Sequence, residues 1–361
     1  MSKSINVPKL RFKEFSGVWE DKLIGQILTV GSGKDYKHLS NGDIPVYGTG
    51  GYMLSVNDYL YDGESVGIGR KGTIDKPIFL TGKFWTVDTL FYTHSFKNSV
   101  PKFIYSIFQR INWKLYNEAS GVPSLSKSTI EKIKIFIPSK QEQEKIASFL
   151  TSVDTKIEQL TRKEALLQQY KKGVMQKIFN QEIRFKAEDG SEFCDWEGKK
   201  LDDVLKTVST KLYQIKNSDI LSEGLFKVVD QGQKTIAGYS NDTEKVYSSG
   251  DIIVYGDHTT IVKYIDFDFI VGADGTKLLN TTKDNNLKYM YYNLVFNNIE
   301  AEGYKRHFSI LRNITLQIPS LKEQIKIANF LSSIDSKIEQ VQKQLNFTKE
   351  FKKALLQKMF V

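Results

Sequence analysis

Two glycine-rich stretches of this 361-residue chain are spaced like phosphate-binding loops. Gly67-Ile68-Gly69-Arg70-Lys71-Gly72 spells G-x-G-x-x-G, the turn that brings a pyrophosphate against a helix N-terminus. The residues that follow, TIDKPIFLTG, read as a strand broken by Pro77 and not as a helix, so the stretch predicts a tight turn between strands. Gly31-Ser32-Gly33-Lys34 lacks the first glycine of a P-loop, and Asp35 stands where a metal-binding Ser or Thr is needed. His38, His94, His258 and His307 are scattered without metal-ligand spacing. The single Cys194 excludes an internal disulfide and a cysteine metal cluster, and reads as a small buried or half-buried side chain. Asp154-Thr155-Lys156 and Glu244-Lys245 can be forced into a nuclease pattern, but the first falls on a helix and the second in the turn-like NDTEK stretch. Both read as solvated charge. The sequence therefore predicts no catalytic residue and no metal site.

Composition narrows the class of partner. Lys and Arg outnumber Asp and Glu by 51 to 42, a net charge of +9, which favours a polyanion without proving one. An apolar fraction of 40%, with 22 Phe and 18 Tyr, suffices for two cores. The opening MSKSINVPKLRF has no apolar leader and no run approaches ~18 apolar residues, so a soluble, cytoplasmic protein is expected.

What must position any site is a duplication. IPSKQEQEKIASFLTSVDTKIEQL at 137 returns as IPSLKEQIKIANFLSSIDSKIEQV at 318, and YKKGVMQKIF returns as FKKALLQKMF. The offset is a constant 181 residues (318 minus 137), and about half the positions are identical. Ile146, Leu150, Val153, Ile157 and Leu160 fall on an alternating four–three spacing, matched by Ile327, Leu331, Ile334, Ile338 and Val341. This is the apolar seam of a coiled coil, and two matching seams are best buried against each other, antiparallel if the halves are related by a two-fold axis. The seam is interrupted by Glu164, Lys171, Thr348 and Lys352. Pro138 and Pro319 sit where each helix begins, and a helix of forty residues spans roughly 60 Å.

The resulting partition is a globular domain over 1–139, a helix over 140–180, a second domain over 181–320 and a second helix over 321–361. The domains match at their entrances, where Arg11-Phe12, Trp19 and Leu23 parallel Arg184-Phe185, Trp196 and Leu201. They match again at their exits, 120–139 against 303–320. Their interiors diverge. Both are rich in short Val/Ile/Tyr/Phe strands punctuated by Gly and Asp, and each holds a more helical stretch, KFIYSIFQRINWKLYN or LKYMYYNLVFNNI. The fold expected is α+β: two strand-rich mixed domains separated by two long antiparallel coiled-coil helices, with pseudo-two-fold symmetry.

A strand-rich domain ending in IPS-x-x-EQ, followed by an IA-x-FL-x-S-x-D-x-KIEQ helix and all repeated once, resembles the specificity subunit of type I restriction–modification systems. The phrases IPVYGTGGY, IGRKGTI, DQGQKTIAGY and GADGTKLL look like its target-recognition domains. The resemblance implies that each domain reads one half of a bipartite, asymmetric site on double-stranded DNA. It also implies that the paired helices set the spacing and scaffold two modification (adenine methyltransferase) subunits, which restriction (translocase/nuclease) subunits then join. S-adenosylmethionine would belong to the methyltransferase, ATP and Mg to the restriction partner, and no cofactor to this chain. A ~60 Å rod corresponds to roughly 17 base pairs.

Base-reading side chains should be polar, on loops and beside basic residues that grip phosphate. In the first domain Arg70 and Lys71 lie on a Gly-flanked turn suited to guanine, and Lys34, Tyr36, Lys37 and His38 form a basic loop suited to phosphate. Tyr47 and Thr49 complete that set. In the second domain Gln231, Gln233 and Lys234 lie on a DQGQK turn, with Gln suited to adenine. Asp257, His258, Thr259 and Thr260 make a second turn, where Asp257 would accept from cytosine. Lys277, Lys305, Arg306 and His307 add cationic density.

Overall fold

The computed structural model describes residues 6–272, 274–282, 284–303 and 305–361. The chain divides into two compact units. Unit 1 runs up to Arg162 and takes in Gln342–Val361; unit 2 is Lys163–Val341. The division cuts through both long helices, so each unit owns the beginning of one helix and the end of the other.

In unit 1 the strands are β1 (Glu20–Leu23), β2 (Thr29–Ser32), β3 (Asn41–Gly48), β4 (Gly51–Val56), β5 (Tyr61–Asp62), β6 (Ser65–Gly69), β7 (Ile78–Leu80), β8 (Lys83–Thr86), β9 (Leu90–His94) and β10 (Lys134–Ile137). The helices are α1 (Ile24–Ile27), α2 (Pro101–Arg110), α3 (Lys127–Glu131) and the long α4 (Lys140–Phe179). Two four-stranded sheets run β2-β9-β6-β7 and β4-β3-β8-β5, and β1 pairs with β10. Every pairing is antiparallel except β3 with β8.

Unit 2 repeats the plan with β11 (Glu197–Lys200), β12 (Leu205–Val208), β13 (Phe226–Val229), β14 (Gly238–Ser240), β15 (Val246–Tyr247), β16 (Ile252–Gly256), β17 (Val262–Ile265), β18 (Phe269–Val271), β19 (Thr276–Thr281) and β20 (Thr315–Ile318). Its helices are α5 (Leu201–Val204), α6 (Leu287–Phe296), α7 (Phe308–Leu311) and α8 (Leu321–Lys358). The sheets run β12-β19-β16-β17 and β14-β13-β18-β15, and β11 pairs with β20. The order is that of unit 1, strand for strand, down to a parallel pairing at the same place, β13 with β18. The interiors that diverge in sequence are thus one topology. The entrance match needs a one-residue correction: Leu201, fully buried, corresponds to Ile24, the first residue of α1, and not to the exposed Leu23.

Each long helix is locked to its unit by the IPS-x-x-EQ segment. In unit 1 the Ser139 hydroxyl accepts from Glu142 N, as an N-cap does. The buried Glu142 carboxylate takes two bonds from Arg11, at 2.8 and 2.7 Å, and a longer one from Trp19 Nε1. Gln143 donates to the Pro138 and Asn98 carbonyls and accepts from Val100 N, the residue that caps α2. Unit 2 repeats this with Glu323, Arg184, Trp196 and Gln324, whose Oε1 receives Asn286 N at the start of α6. The Glu323 carboxylate also holds the Arg184 guanidinium above its ordinary pKa. Beside the locks, Phe12 meets Phe149 edge-on and Phe185 meets Phe330.

The seam residues supply the rest of each core. In unit 1 Ile146, Leu150 and Val153 share one cluster with Leu355 near the end of α8 and with Met359 and Phe360 just beyond it, and Ile157 packs at its margin. Unit 2 joins Ile327, Leu331 and Ile334 to Met175, Ile178 and Phe179 from the end of α4, with Ile338 at the margin. Leu160 and Val341 are buried as well. Within each unit the two helix segments run antiparallel. The polar interruptions have partners: Lys352 pairs with Asp154 at 2.6 Å in unit 1, and Lys171 with Asp335 at 2.5 Å in unit 2. The second pair is the first with its members exchanged between copies, 181 residues apart in each (352 minus 171, 335 minus 154).

Cys194 is exposed, contrary to the expectation from its solitary occurrence, and its carbonyl accepts from Arg184. Among the described residues no helix is long and apolar enough to cross a membrane.

Candidate nucleic-acid interface

The connection from the second sheet back to the first gathers the candidate loops in each unit. In unit 1 it lies between β8 and β9. Thr86 O accepts from Lys34 N, Val87 N donates to Tyr47 O at 3.0 Å, and Thr89 O accepts from both Arg70 N and Lys71 N. Three groups distant in sequence therefore hang on four residues. The approach at Gly33 is so close that a Cβ would lie 1.9 Å from Val87 O, which only glycine allows.

Unit 2 builds the same hub between β18 and β19. Val271 O accepts from Ile215 N, Gly272 N donates to Val229 O, and Gly275 O accepts from Asp257 N at 2.7 Å. Gln231 spans the cluster, its amide donating to Asp274 O while its Oε1 accepts from His258 N.

Arg70 and Lys71 follow β6 and are exposed, with the Arg70 guanidinium over the Phe91 ring, 6.0 Å from its centroid, and in reach of Asp88 O. They line an open cleft with Asp88, Glu118 and Lys127. Gly67 and Gly69 are strand residues of β6, and Pro77 immediately precedes β7, so no helix receives the G-x-G-x-x-G stretch. Lys34, Lys37 and His38 are exposed on their loop, but Tyr36 is half-buried against the small core of Val46, Val56, Trp85 and Val87. The loop is further pinned by Trp85 Nε1, which donates to Lys34 O, and by the His38 ring set edge-on to Trp85. Tyr47 is half-buried on β3 and meets Tyr52 edge-on; Thr49 occupies the β3–β4 turn.

Several candidates in unit 2 belong to the frame. Asp257 is 3% exposed: one carboxylate oxygen accepts from Phe308 N and the other faces Lys277 at 3.8 Å, leaving nothing for cytosine. His307 is 1% exposed, its Nε2 accepting from Glu302 N and its backbone N–H donating to Asp257 O, so it reaches no phosphate. Thr260 is buried in a left-handed conformation, φ +56°, with its hydroxyl on Thr259 O. These three are corrected from DNA contacts to scaffold. Thr259 donates to Gln231 O and His258 Nδ1 contacts Lys305 O, so both brace the turn. Gln233, Lys234, Lys305 and Arg306 remain exposed, and Lys277 half-exposed.

Sequence reasoning missed Asp88, Glu118, Lys127 and Asp274. The exit match held no signal for Lys127, the first residue of α3, because its counterpart in unit 2 is Phe308, the first residue of α7. Among the described residues no group of His, Cys, Asp and Glu is placed to hold a metal ion.

The family described as the type I restriction modification DNA specificity domain matches residues 17–169 and again 194–347. A specificity subunit of the type I restriction enzyme MjaVIII from Methanocaldococcus jannaschii is 25% identical over 349 residues, covering 84% of this chain and 78% of that one. The EcoR124I/EcoR124II specificity subunit of Escherichia coli is 32% identical over 96 residues, or 26% of this chain and 24% of that one. In fold, the solved S subunit of a type I restriction–modification system from M. genitalium agrees with a TM-score of 0.70 at 15% identity, over 98% of this chain and 99% of that one. With both of its domain-and-helix halves matched, the chain belongs to the DNA specificity subunits of type I restriction–modification systems.

Proposed function

We propose that units 1 and 2 each read one half of an asymmetric, bipartite site on double-stranded DNA, in the cytoplasm, while α4 and α8 set the spacing and scaffold two adenine-methyltransferase subunits. One observation carries this reading: a single topology carries different side chains at the same turn, exposed Arg70-Lys71 after β6 but buried Asp257 with His258 after β16, where Gln233 and Lys234 of the neighbouring turn are the exposed ones. A shared frame with divergent turns is what two readers of two different half-sites need. Lys34, Lys37, Lys71, Lys234, Lys305 and Arg306 supply phosphate contacts, and Arg70 and Gln233 are the side chains best placed to address base edges. The chain supplies no cofactor: S-adenosylmethionine is held by the methyltransferase, and ATP with Mg by a restriction subunit when one joins.

The test is methylation by the complex of this chain with its methyltransferase. Exchanging residues 10–137 for those of a relative should change one half-site and preserve the other. Equal methylation of all duplexes by the parent complex, or a change in both half-sites, would overturn the reading. Affinity should also fall steeply with salt, because each phosphate contact releases counterions.

A further inference from the structure

The turn that exposes Gln233 and Lys234 in unit 2 has no backbone ladder of its own. β13 and β14 stay paired only as far as Val228 and Gly238, and among the described residues no backbone–backbone hydrogen bond engages residues 231–236. Side chains shape the turn instead. Asp230 Oδ1 accepts from Gly232 N at 2.8 Å, Gln231 ties the leading end to Asp274 O and His258 N, and Thr259 donates to Gln231 O. The trailing end is held by Lys263 of β17. Its ammonium donates to Asp230 O at 2.7 Å and to Lys234 O at 2.6 Å, and lies 3.8 Å from the Asp230 carboxylate. One group thus draws together two carbonyls four residues apart and closes the loop that carries Gln233.

A lysine is a costly choice for that place. Lys263 is 7% exposed, and burial lowers its pKa from the ordinary lysine value, against an opposing pull from Asp230. An apolar side chain of similar volume avoids that desolvation, and such an exchange at a buried ion pair is often neutral or stabilising. Unit 1 has made it. Lys263 opposes Val254 across β16 and β17, and at the same place Ile78 opposes Gly67 across β6 and β7. The difference follows the turn that each unit carries. In unit 1 β3 and β4 are paired up to Gly48 and Gly51, so the ladder itself closes the turn around Thr49. The longer turn of unit 2, 230–237, has no such closure. Stability of the fold does not account for a buried ammonium where the sister unit uses isoleucine; the shape of the turn does.

We infer that Lys263 is a positioning residue for DNA specificity: by gathering the Asp230 and Lys234 carbonyls it holds Gln233 and Lys234 in one arrangement toward the unit 2 half-site, without touching DNA itself. The inference rests on the proposed function and extends it from the exposed side chains of the turn to the buried one that fixes them.

Methylation kinetics of the full chain in complex with its methyltransferase test this, on the cognate duplex and on duplexes changed one base pair at a time through both half-sites. Lys263→Met should melt at or above the parent's temperature. Its KM for the cognate duplex should rise with kcat held, and its discrimination within the unit 2 half-site should fall by about 10-fold or more, with the unit 1 half-site read as before. Lys263→Arg keeps a cation with several donors and should return most of that discrimination. A merely structural lysine behaves differently: its loss shrinks the folded fraction, which lowers kcat and leaves KM and discrimination alone. That pattern, unfolding of unit 2 by methionine, or an arginine variant no better than the methionine one would overturn the inference. Parental discrimination in Lys263→Met would overturn it too while leaving the proposed function standing. A parent complex that methylates all duplexes equally would overturn both.

Discussion

Phe91 opposes Ile68 across unit 1's first sheet, two residues before Arg70; Lys277 opposes Tyr255 in unit 2, two residues before Asp257. The same two positions therefore hold a cation over an aromatic ring in one unit and a carboxylate facing a cation in the other. In unit 1 the charge at the turn is exposed. In unit 2 it is buried and spent on fixing the segment before α7, leaving Gln233, Lys234, Lys305 and Arg306 to face solvent. The frame survives this exchange because the hub bonds are made by backbone groups, which are indifferent to the side chain they carry. Specificity is free to change where the frame asks only for a peptide bond.

The sharpest break of the comparison targets what the units share. Glu142→Ala and Glu323→Ala each strip a buried carboxylate from an arginine and an indole N–H. Losing one member of a buried pair costs about 3–5 kcal/mol. Both substitutions should loosen their own unit, read as hydrogen exchange rising in α2 and β10 for Glu142→Ala, and in α6 and β20 for Glu323→Ala. Protection lost equally in both units by either change would show that the locks do not act unit by unit.

The long helices and their duplication were legible because a helix repeats locally: a 3.5-residue apolar spacing and a proline at each start need no knowledge of the rest of the fold. The shared strand order was not legible. Register between strands is set by distant segments, and interiors as different as IPVYGTGGYM and FKVVDQGQKT give no alignment to reason from. The polar residues in the seam looked like flaws because Lys352 and Asp154 lie far apart in sequence, and each is explained only by the other. Asp257 and His307 failed for a related reason. A polar residue in a turn reads as exposed, and burial here depends on the chain folding back over a separation of 50 residues so that His307 N can meet Asp257 O. The two turns singled out in sequence fall at the same topological place, after β6 and after β16.

A smaller effect should separate the two turns. Arg70→Ala removes an exposed guanidinium, so the melting temperature should barely move, while binding of one half-site should weaken by about 1–3 kcal/mol, or 10- to 100-fold. Asp257→Ala should do the reverse in unit 2. It frees Phe308 N and Lys277 from their partner and should lower stability first, with DNA affinity following only as the turn loosens. Paired melting and binding curves distinguish the outcomes; equal profiles for the two variants would mean that the turns play the same part in both units.

The smallest effect concerns the two seam pairs. Their carboxylates are about two-fifths exposed, so each pair should couple by only roughly 1 kcal/mol in a double-mutant cycle. Their value lies in direction. Lys171→Asp sets two carboxylates against each other beside Tyr292, whose hydroxyl already donates to Asp335 at 2.6 Å and whose pKa is raised by burial and by that carboxylate. Lys352→Asp does the same beside Asp154, near Tyr105, which is raised mainly by burial. Adding Asp335→Lys to the first variant, or Asp154→Lys to the second, restores opposite charges in reversed order. Each restored pair should recover most of the lost melting temperature. The recovery should be less complete in unit 2, because a lysine at 335 cannot accept the Tyr292 hydroxyl as the carboxylate does. Equal recovery in both units would show that this hydrogen bond contributes nothing to the seam.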